Sequence, residues 1–237
     1  MPKYFFKPEQ LQGERVVLDG ETAHHLQHVL RMDIGEQLNL CNGAEVDYIA
    51  EIETLTKTHV TCKILATFPA LTEPCIKVTL YQGLPKGDKL ELIIQKCVEL
   101  GVTAIIPVIT SRSVVRKSDV KKNARYQRIA ESASCQSMRG IIPSVETAIH
   151  FSEAVMQVNS STLVAYEEEK RRTLKKGLQQ LPQTCVNIWV GPEGGFSEGE
   201  IYELASQGAT TVTLGPRILR TETAAISMLA QIMCLSE

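Results

Sequence analysis

Two glycine-proline turns in the last third of the chain constrain it most. The apolar run Val186 to Val190 ends in Gly191-Pro192-Glu193-Gly194-Gly195-Phe196, and the run Thr210 to Leu214 ends in Gly215-Pro216-Arg217-Ile218-Leu219-Arg220-Thr221-Glu222-Thr223. Proline drives the residue before it out of the helical region, so each run, read as a buried strand, has to turn at that point. A helix should follow each turn. Ser197 with Glu200 three residues later has the form of a capping box, and Thr221 stands as an N-cap before the apolar series Ile226, Leu229, Met233. Two adjacent strand ends would then carry glycine-rich loops, the usual ligand position in a parallel α/β sheet.

The first seventy residues follow a different grammar. Val16 to Leu18, Gln37 to Leu40, Val46 to Glu53 and His59 to Leu65 read as strands, with Asn42-Gly43 as a hairpin dipeptide. One helix interrupts them, Glu21 to Met32, with Leu26, Val29 and Leu30 as its apolar stripe. This predicts a small β-barrel over 1–70. Phe68 to Pro74, with two prolines in seven residues, reads as a linker to a second domain over 74–237. In that domain strands at Ile76 to Tyr81, Thr103 to Ile109 and Thr162 to Tyr166 alternate with helices at Lys86 to Leu100, Lys121 to Gln136, Ser152 to Val158 and Lys170 to Gln180. Such alternation implies a parallel, largely buried sheet and an α/β class. Leu90, Ile93, Ile94, Cys97 and Leu100 form the buried side of the first helix, which Gly101 stops.

Composition excludes several classes. A formal net charge of -2 argues against a wholly basic nucleic-acid protein, while leaving room for a local basic face. Seven scattered cysteines without a C-x-x-C fit reduced thiols in the cytoplasm, and the five histidines have no metal spacing, so no metal is expected. No long apolar run suggests a membrane span. Basic residues concentrate instead at Arg112, Arg116, Lys117, Lys121, Lys122, Arg125 and Arg128, opposed only by Asp119. Such a run is either a solvated helix face or a surface that tracks phosphates and releases their counterions. Arg139 lies just beyond it, and Lys3, Lys7, Arg15 and Arg31 offer a second patch. Tyr4, Phe5 and Phe6 fit a strand packed in the barrel better than a base-stacking platform.

Three strand ends invite comparison as a ligand site: Tyr166-Glu167-Glu168 and the two glycine-proline turns. No G-x-G-x-x-G follows the first strand and no G-x-x-x-x-G-K-[ST] occurs, so neither a Rossmann cofactor nor a P-loop nucleotide is supported. Glycines let a ligand approach the backbone, whose amides and carbonyls can read its polar edge, while Ile218 and Leu219 supply apolar walls.

The segments GPEGGFS (Gly191 to Ser197) and LGPRILRTETA (Leu214 to Ala224) closely resemble signatures of the ribosomal RNA small subunit methyltransferase E family. So do Lys86-Gly87-Asp88-Lys89 leading to Ile94-Gln95-Lys96-Cys97-Val98-Glu99-Leu100-Gly101, and His24-His25 leading to Val29-Leu30-Arg31-Met32. The resemblance spans nearly the whole chain. It implies a PUA-like RNA-binding barrel and a C-terminal SPOUT methyltransferase domain with a trefoil knot, against the general rule that chains avoid knots. It also implies a homodimer that uses S-adenosyl-L-methionine to methylate N3 of a uridine in 16S rRNA. Carried over by position, the cofactor pocket comprises Ala165, Tyr166 and Glu167, then Val190, Gly191, Pro192, Glu193 and Gly194, then Leu214, Gly215, Pro216, Arg217, Ile218 and Leu219. One stretch departs from the family: Cys135 stands before Gln136 where an acid is usual, and Met138 replaces a small or polar residue.

Uracil N3 carries a proton at neutral pH, so its methylation calls for removal of that proton, which a carboxylate could accept, or stabilisation of the resulting anion, which a cation near O2 or O4 would favour. Arg220 is the candidate for the cation, with Arg139 reaching in from a partner subunit, and Glu222 or Glu193 for the acceptor. Each also has a structural reading, since an acid such as Glu222 in a first helical turn is stabilised by the helix dipole. Competing functions are a related methyltransferase acting on ribose 2′-OH or tRNA, a non-catalytic ribosome assembly factor, and a small-molecule methyltransferase.

Overall fold

A computed structural model describes residues 3–114, 120–181 and 184–236 of the chain. It divides into two compact units: residues up to Glu73 together with Ser134–Ile142, and Pro74–Ala133 together with Pro143 onward.

The first unit is a six-stranded sheet of β1 (Lys3–Phe5), β2 (Leu11–Gln12), β3 (Arg15–Leu18), β4 (Gln37–Cys41), β5 (Val46–Leu55) and β6 (Val60–Pro69), in the order β1-β4-β5-β6-β3-β2. All its pairs are antiparallel except β1 with β4. Two register shifts between β5 and β6 mark bulges, which bend and twist a sheet. Alternate residues Val16, Leu18, Leu38, Leu40, Ala50, Ile52, Val60 and Cys62 fill the core with Tyr4 and Phe6, so these two N-terminal aromatics pack inward while Phe5 is only half-buried. Asn42-Gly43 does form the β4–β5 connection, with the Asn42 side-chain oxygen accepting from Ala44 N at 2.8 Å.

Three expectations fail in this unit. The helix begins as α1 (Gly20–His24) but widens into a π-turn over His25–Val29 and ends at Arg31 with φ 55°. The wider turn changes the phase of the stripe: Leu26 and Met32 are buried, while Val29 and Leu30 face solvent. Phe68 and Pro69 belong to the end of β6 rather than to a linker, paired with Asp47 and Val46. Proline is tolerated there because β3 pairs with β6 only as far as Lys63, leaving that end of β6 with one neighbour. Lys3 is buried, its ammonium 2.7 Å from Asp47 Oδ2 and 2.8 Å from the Met138 carbonyl, so it belongs to the core and not to a surface patch.

The second unit is a parallel sheet. In chain order its elements are β7 (Lys77–Gly83), α2 (Lys89–Glu99), β8 (Ala104–Ile109), α3 (Val120–Gln136), β9 (Ser144–Val145), β10 (Ile149–His150), α4 (Phe151–Ala154), β11 (Thr162–Ala165), α5 (Leu174–Leu178), β12 (Cys185–Val190), α6 (Glu198–Ser206), β13 (Thr210–Val212) and α7 (Thr221–Ser236). The strand path is β10-β8-β7-β12-β11-β13, with β9 also on β8. Both faces are covered. Val186, Ile188 and Val190 of β12 join one core with Leu90, Ile93 and Ile94 of α2 and Met228 and Leu229 of α7. Trp189 points into another, stacked on Tyr81 at 4.7 Å between ring centres. That is why these strands read as continuous apolar runs without alternation.

α5 is shorter than its periodicity suggested. The Glu169 carboxylate accepts from the Arg171 and Arg172 amides, and the Arg172 carbonyl accepts from Thr213 N at 2.8 Å, so this stretch lies along β13 before Thr173 caps the helix.

Candidate functional site

The strand order decides where the glycine-proline turns meet. β12 and β13 are not adjacent, as the sequence reading supposed: β11 lies between them, in parallel register with both. The three consecutive C-terminal strand ends therefore carry Tyr166-Glu167, Gly191-Pro192 and Gly215-Pro216, and they surround a cavity of about 490 Å³.

Close backbone contact fixes the Gly191 turn. A Cβ on Gly83, at the end of β7, would overlap the Pro192 ring, so that strand end packs directly under the turn. Gly195, with φ 67°, leaves the space that the Glu167 carboxylate occupies. Ser197 and Glu200 form the expected capping box, and the other Glu200 oxygen accepts from Ser111 N at 2.7 Å. Thr221 departs from its expected role. It is the first residue of α7, and the Arg220 carbonyl takes the N-cap position by accepting from Ala224 N. The Thr221 hydroxyl instead donates to the Gly191 carbonyl at 2.6 Å and accepts from Gln82 Nε2 at 2.9 Å, linking two cavity walls.

The lining combines apolar walls (Ala165, Val190, Leu214, Ile218, Leu219, Phe196) with carboxylates at Glu167 and Glu193 and cations at Lys89, Arg217 and Arg220. Glu222 lies in the first turn of α7, with Oε2 buried, lacking a hydrogen-bond partner among the described residues and 3.6 Å from Lys89 Nζ. Lys89 Nζ is also 2.9 Å from Glu193 Oε1, which accepts in addition from Lys86 N at 3.2 Å. Burial alone would raise the Glu193 carboxyl, but these hydrogen bonds outweigh it and hold it below the ordinary carboxylate range. The same bond to Glu193 raises Lys89 above the ordinary lysine value.

A family model for an RNA methyltransferase domain matches residues 72–233, and one for an RNA methyltransferase PUA domain matches residues 18–65. Ribosomal RNA small subunit methyltransferase E of Bacillus subtilis is 37% identical over 250 residues, covering 100% of this chain and 98% of that protein. This chain belongs to the ribosomal RNA small subunit methyltransferase E family. A solved family structure from Neisseria gonorrhoeae, bound to S-adenosyl methionine, superposes with a TM-score of 0.88 at 35% identity, covering 99% of this chain and 98% of that one. A Legionella pneumophila methyltransferase in complex with the same cofactor gives 0.86 at 32% identity, over 98% and 96% of the two chains.

Of the residues carried over from the family motifs, Ala165 to Glu167, Val190 to Glu193 and Leu214 to Leu219 line the cavity. Gly194 does not; its carbonyl accepts from Arg112 Nη1 at 2.7 Å. Arg220 lines it and is exposed. Glu222 takes no part in the lining, and neither does Arg139. Arg139 belongs to the first unit, is 2% exposed, and holds Glu73 through Nη2 at 2.6 Å and Nε at 3.0 Å. Sequence reasoning did not single out Lys89, Gly195 or Thr213 as site residues, nor Gln82 beneath them. Lys89 stood within a family motif and offered a signal, whereas Gln82, inside a buried strand, offered none.

Among the basic residues, Lys122 is exposed, Arg125 pairs with Glu91 at 2.7 Å, Arg15 makes a bidentate pair with Glu53, and Arg31 is exposed beside the π-turn. Arg116, Lys117 and the side chain of Lys121 lie outside the described residues.

Proposed function

We propose that this chain transfers the methyl group of S-adenosylmethionine to N3 of a uridine in 16S rRNA, working as a cytoplasmic homodimer whose second unit carries the trefoil knot the family resemblance implies. The observation that carries this reading is the convergence of three strand ends on one cavity of about 490 Å³, within the range of about 300–1,000 Å³ usual for small-ligand sites. Family membership and relatives solved with the cofactor support it.

The residues fit such a ligand. The glycine turns bring backbone close to the cavity, Leu214, Ile218 and Leu219 offer apolar contact to an adenosyl group, and Glu167 and Glu193 favour a bound cation. When bound, the cofactor supplies an electrophilic methyl group on a sulfonium sulfur, which keeps the electron pair of the broken C–S bond as the C–N bond forms.

The chain's own residues have to manage the N3 proton and the charge that its loss creates. Glu222, next in sequence to the lining residue Thr221, is our proton acceptor, because its Oε2 has no hydrogen-bond donor among the described residues. Glu193 is the poorer base, since Lys89 and the Lys86 amide already occupy its carboxylate. Arg220, exposed in the lining, stabilises negative charge on the uracil oxygens. Arg139, committed to Glu73, is assigned a structural role in the first unit. The target base has to leave any stack to enter, which favours an unpaired or distorted segment. The PUA unit and the basic run, including Arg112, Arg116, Lys117, Lys121, Lys122 and Arg125, are assigned to holding the RNA backbone.

The test is incubation of purified protein with labelled cofactor and either naked 16S rRNA or assembled small subunits, then nucleoside mass spectrometry and mapping. The expected product is 3-methyluridine at one position. Label found on ribose 2′-OH, or on tRNA alone, refutes the assignment of the acceptor.

A further inference from the structure

Two carboxylates line the cavity, and they are not equivalent. Glu193 is engaged by Lys89 Nζ at 2.9 Å and by Lys86 N at 3.2 Å, so its charge is already matched inside the protein. Glu167, at the end of β11, has no hydrogen bond or salt bridge among the described residues. Its carboxylate lies against Gly195, another lining residue, in the space that a side chain at that position would fill. Charge on this flank is lopsided as well. Tyr166, also in the lining, has its phenol pushed up first by burial and then by Glu167, Glu168 and Glu198, with Arg112 opposing them.

We infer that Glu167 is a specificity residue: its unmatched charge biases the cavity toward S-adenosylmethionine over the demethylated product, S-adenosylhomocysteine, and so favours release of the spent cofactor. The inference rests on the reading above that this cavity holds the cofactor. Methyl transfer breaks a C–S bond and the sulfur keeps the electron pair, so a sulfonium becomes a neutral thioether. The ligand loses one positive charge, while its adenosyl group and amino-acid end stay the same. A cavity of about 490 Å³ is about 10 Å across, so a charge anywhere inside it lies within reach of the wall to which Glu167 belongs. The apolar contacts of Leu214, Ile218 and Leu219 do not sense the change of charge. Arg217 and Arg220, which also line the cavity, act in the opposite direction and favour the neutral product. Glu167 is therefore the lining group whose uncompensated charge separates the two ligands in favour of the unspent one.

Calorimetric titration of each ligand into the RNA-free protein tests this without relying on turnover. In Glu167→Gln, S-adenosylmethionine should bind about 3- to 30-fold more weakly while S-adenosylhomocysteine changes by less than about twofold, the range set by an effective dielectric between those of water and of a protein surface. Glu167→Asp, which keeps the charge, should preserve most of the bias. Glu168→Gln removes the same charge one residue further along, outside the lining, and should leave the ratio of the two dissociation constants near that of the wild type. Added salt should weaken S-adenosylmethionine binding to the wild type more than to Glu167→Gln. An unchanged ratio in Glu167→Gln, with both ligands weakened equally or neither affected, would overturn the inference, because the carboxylate would then hold a part common to both or hold nothing. Failure of the site reading looks different. Ile218→Ala, on the apolar rim, should weaken both ligands by the same factor; if it alters neither, the cofactor binds elsewhere and the proposed function loses its site.

Discussion

Replacing Thr221 with valine tests whether its hydroxyl joins α7 to the Gly191 turn. The side chain is 4% exposed and valine has the same shape, so the substitution removes hydrogen bonds without opening a cavity. The Gly191 carbonyl loses its 2.6 Å donor and keeps only Gln82 Nε2 at 3.5 Å, the outer limit of a hydrogen bond. Gln82 Nε2 loses its 2.9 Å acceptor but retains the Gly83 carbonyl at 2.9 Å. The main cost is thus one under-satisfied part-buried carbonyl, about 1–3 kcal/mol if it were fully buried. Burial of the extra methyl of valine offsets about 0.8 kcal/mol of this, so we expect a net loss of about 1 kcal/mol. Trp189, the single tryptophan, is buried in the same unit, and its fluorescence during urea unfolding reports on that unit. Thr221→Ser is the control: it keeps the hydroxyl and forfeits about 0.8 kcal/mol of methyl burial. The valine variant should also bind S-adenosylmethionine more weakly than the serine variant, which keeps the link. A valine variant as stable as wild type, or one that binds the cofactor as tightly as the serine variant, would refute the role of this link.

Three other outcomes follow from the structure. Ile218 is 89% exposed at the cavity rim, so a bound adenosyl group should cover it; Ile218→Ala should then weaken cofactor binding about tenfold by calorimetry, with little change in unfolding midpoint. For Glu73, burial opposes ionisation, but Arg139 and the Gly140 and Ile141 amides outweigh it and hold the carboxyl below the ordinary range. Its contribution to stability is therefore full above about pH 4.3 and is lost as pH falls through the lower folded-state value. Glu73→Gln should cost about 1–3 kcal/mol at neutral pH, from weakening the charge-assisted hydrogen bonds to Arg139, and should flatten the acid dependence of urea unfolding below that pH; an unchanged slope contradicts the pairing. Burial pushes the thiols of Cys62 and Cys97 up to about 12 and that of Cys41 to about 11, whereas Cys75, Cys185 and Cys234 are exposed. Brief iodoacetamide treatment followed by mass spectrometry should mark the exposed three and spare the buried three until the protein unfolds.

Local grammar was legible wherever one element determined it. The apolar side of α2, the capping box at Ser197 and the buried run before Gly191 follow from residue order alone, because each depends on neighbours within a turn or two. The π-turn after α1 was not legible, since Leu26, Val29 and Leu30 fit an ordinary helical stripe and the widening shows only in which of them is buried. Nor was the membership of Ser134–Ile142 in the first unit, which depends on Glu73 receiving Arg139 and the Gly140 amide across more than sixty residues. Met138, one of the two residues that depart from the family pattern, adopts φ 62° there, and its carbonyl accepts from both Lys3 and Thr72.

The site shows the same division between local and distant determinants. Each glycine-proline turn was readable alone, but their separation by β11 was not, and that separation places Glu167 where the Gly195 main chain needs a neighbour without a side-chain clash. With β11 in the middle, apolar residues of the Leu214–Leu219 turn come from one side and the carboxylate-bearing loop after β12 from the other. A cavity built this way is polar on one flank and apolar on the other before any ligand enters. Lys89 and Gln82 belong to the elements on the polar flank, α2 and β7, and act on it from behind: Gln82 through Thr221 on the Gly191 carbonyl, Lys89 on Glu193 and Glu222. Their positions in the sequence precede the turns they support by more than a hundred residues, so only the strand order β7-β12-β11-β13 brings them to the site.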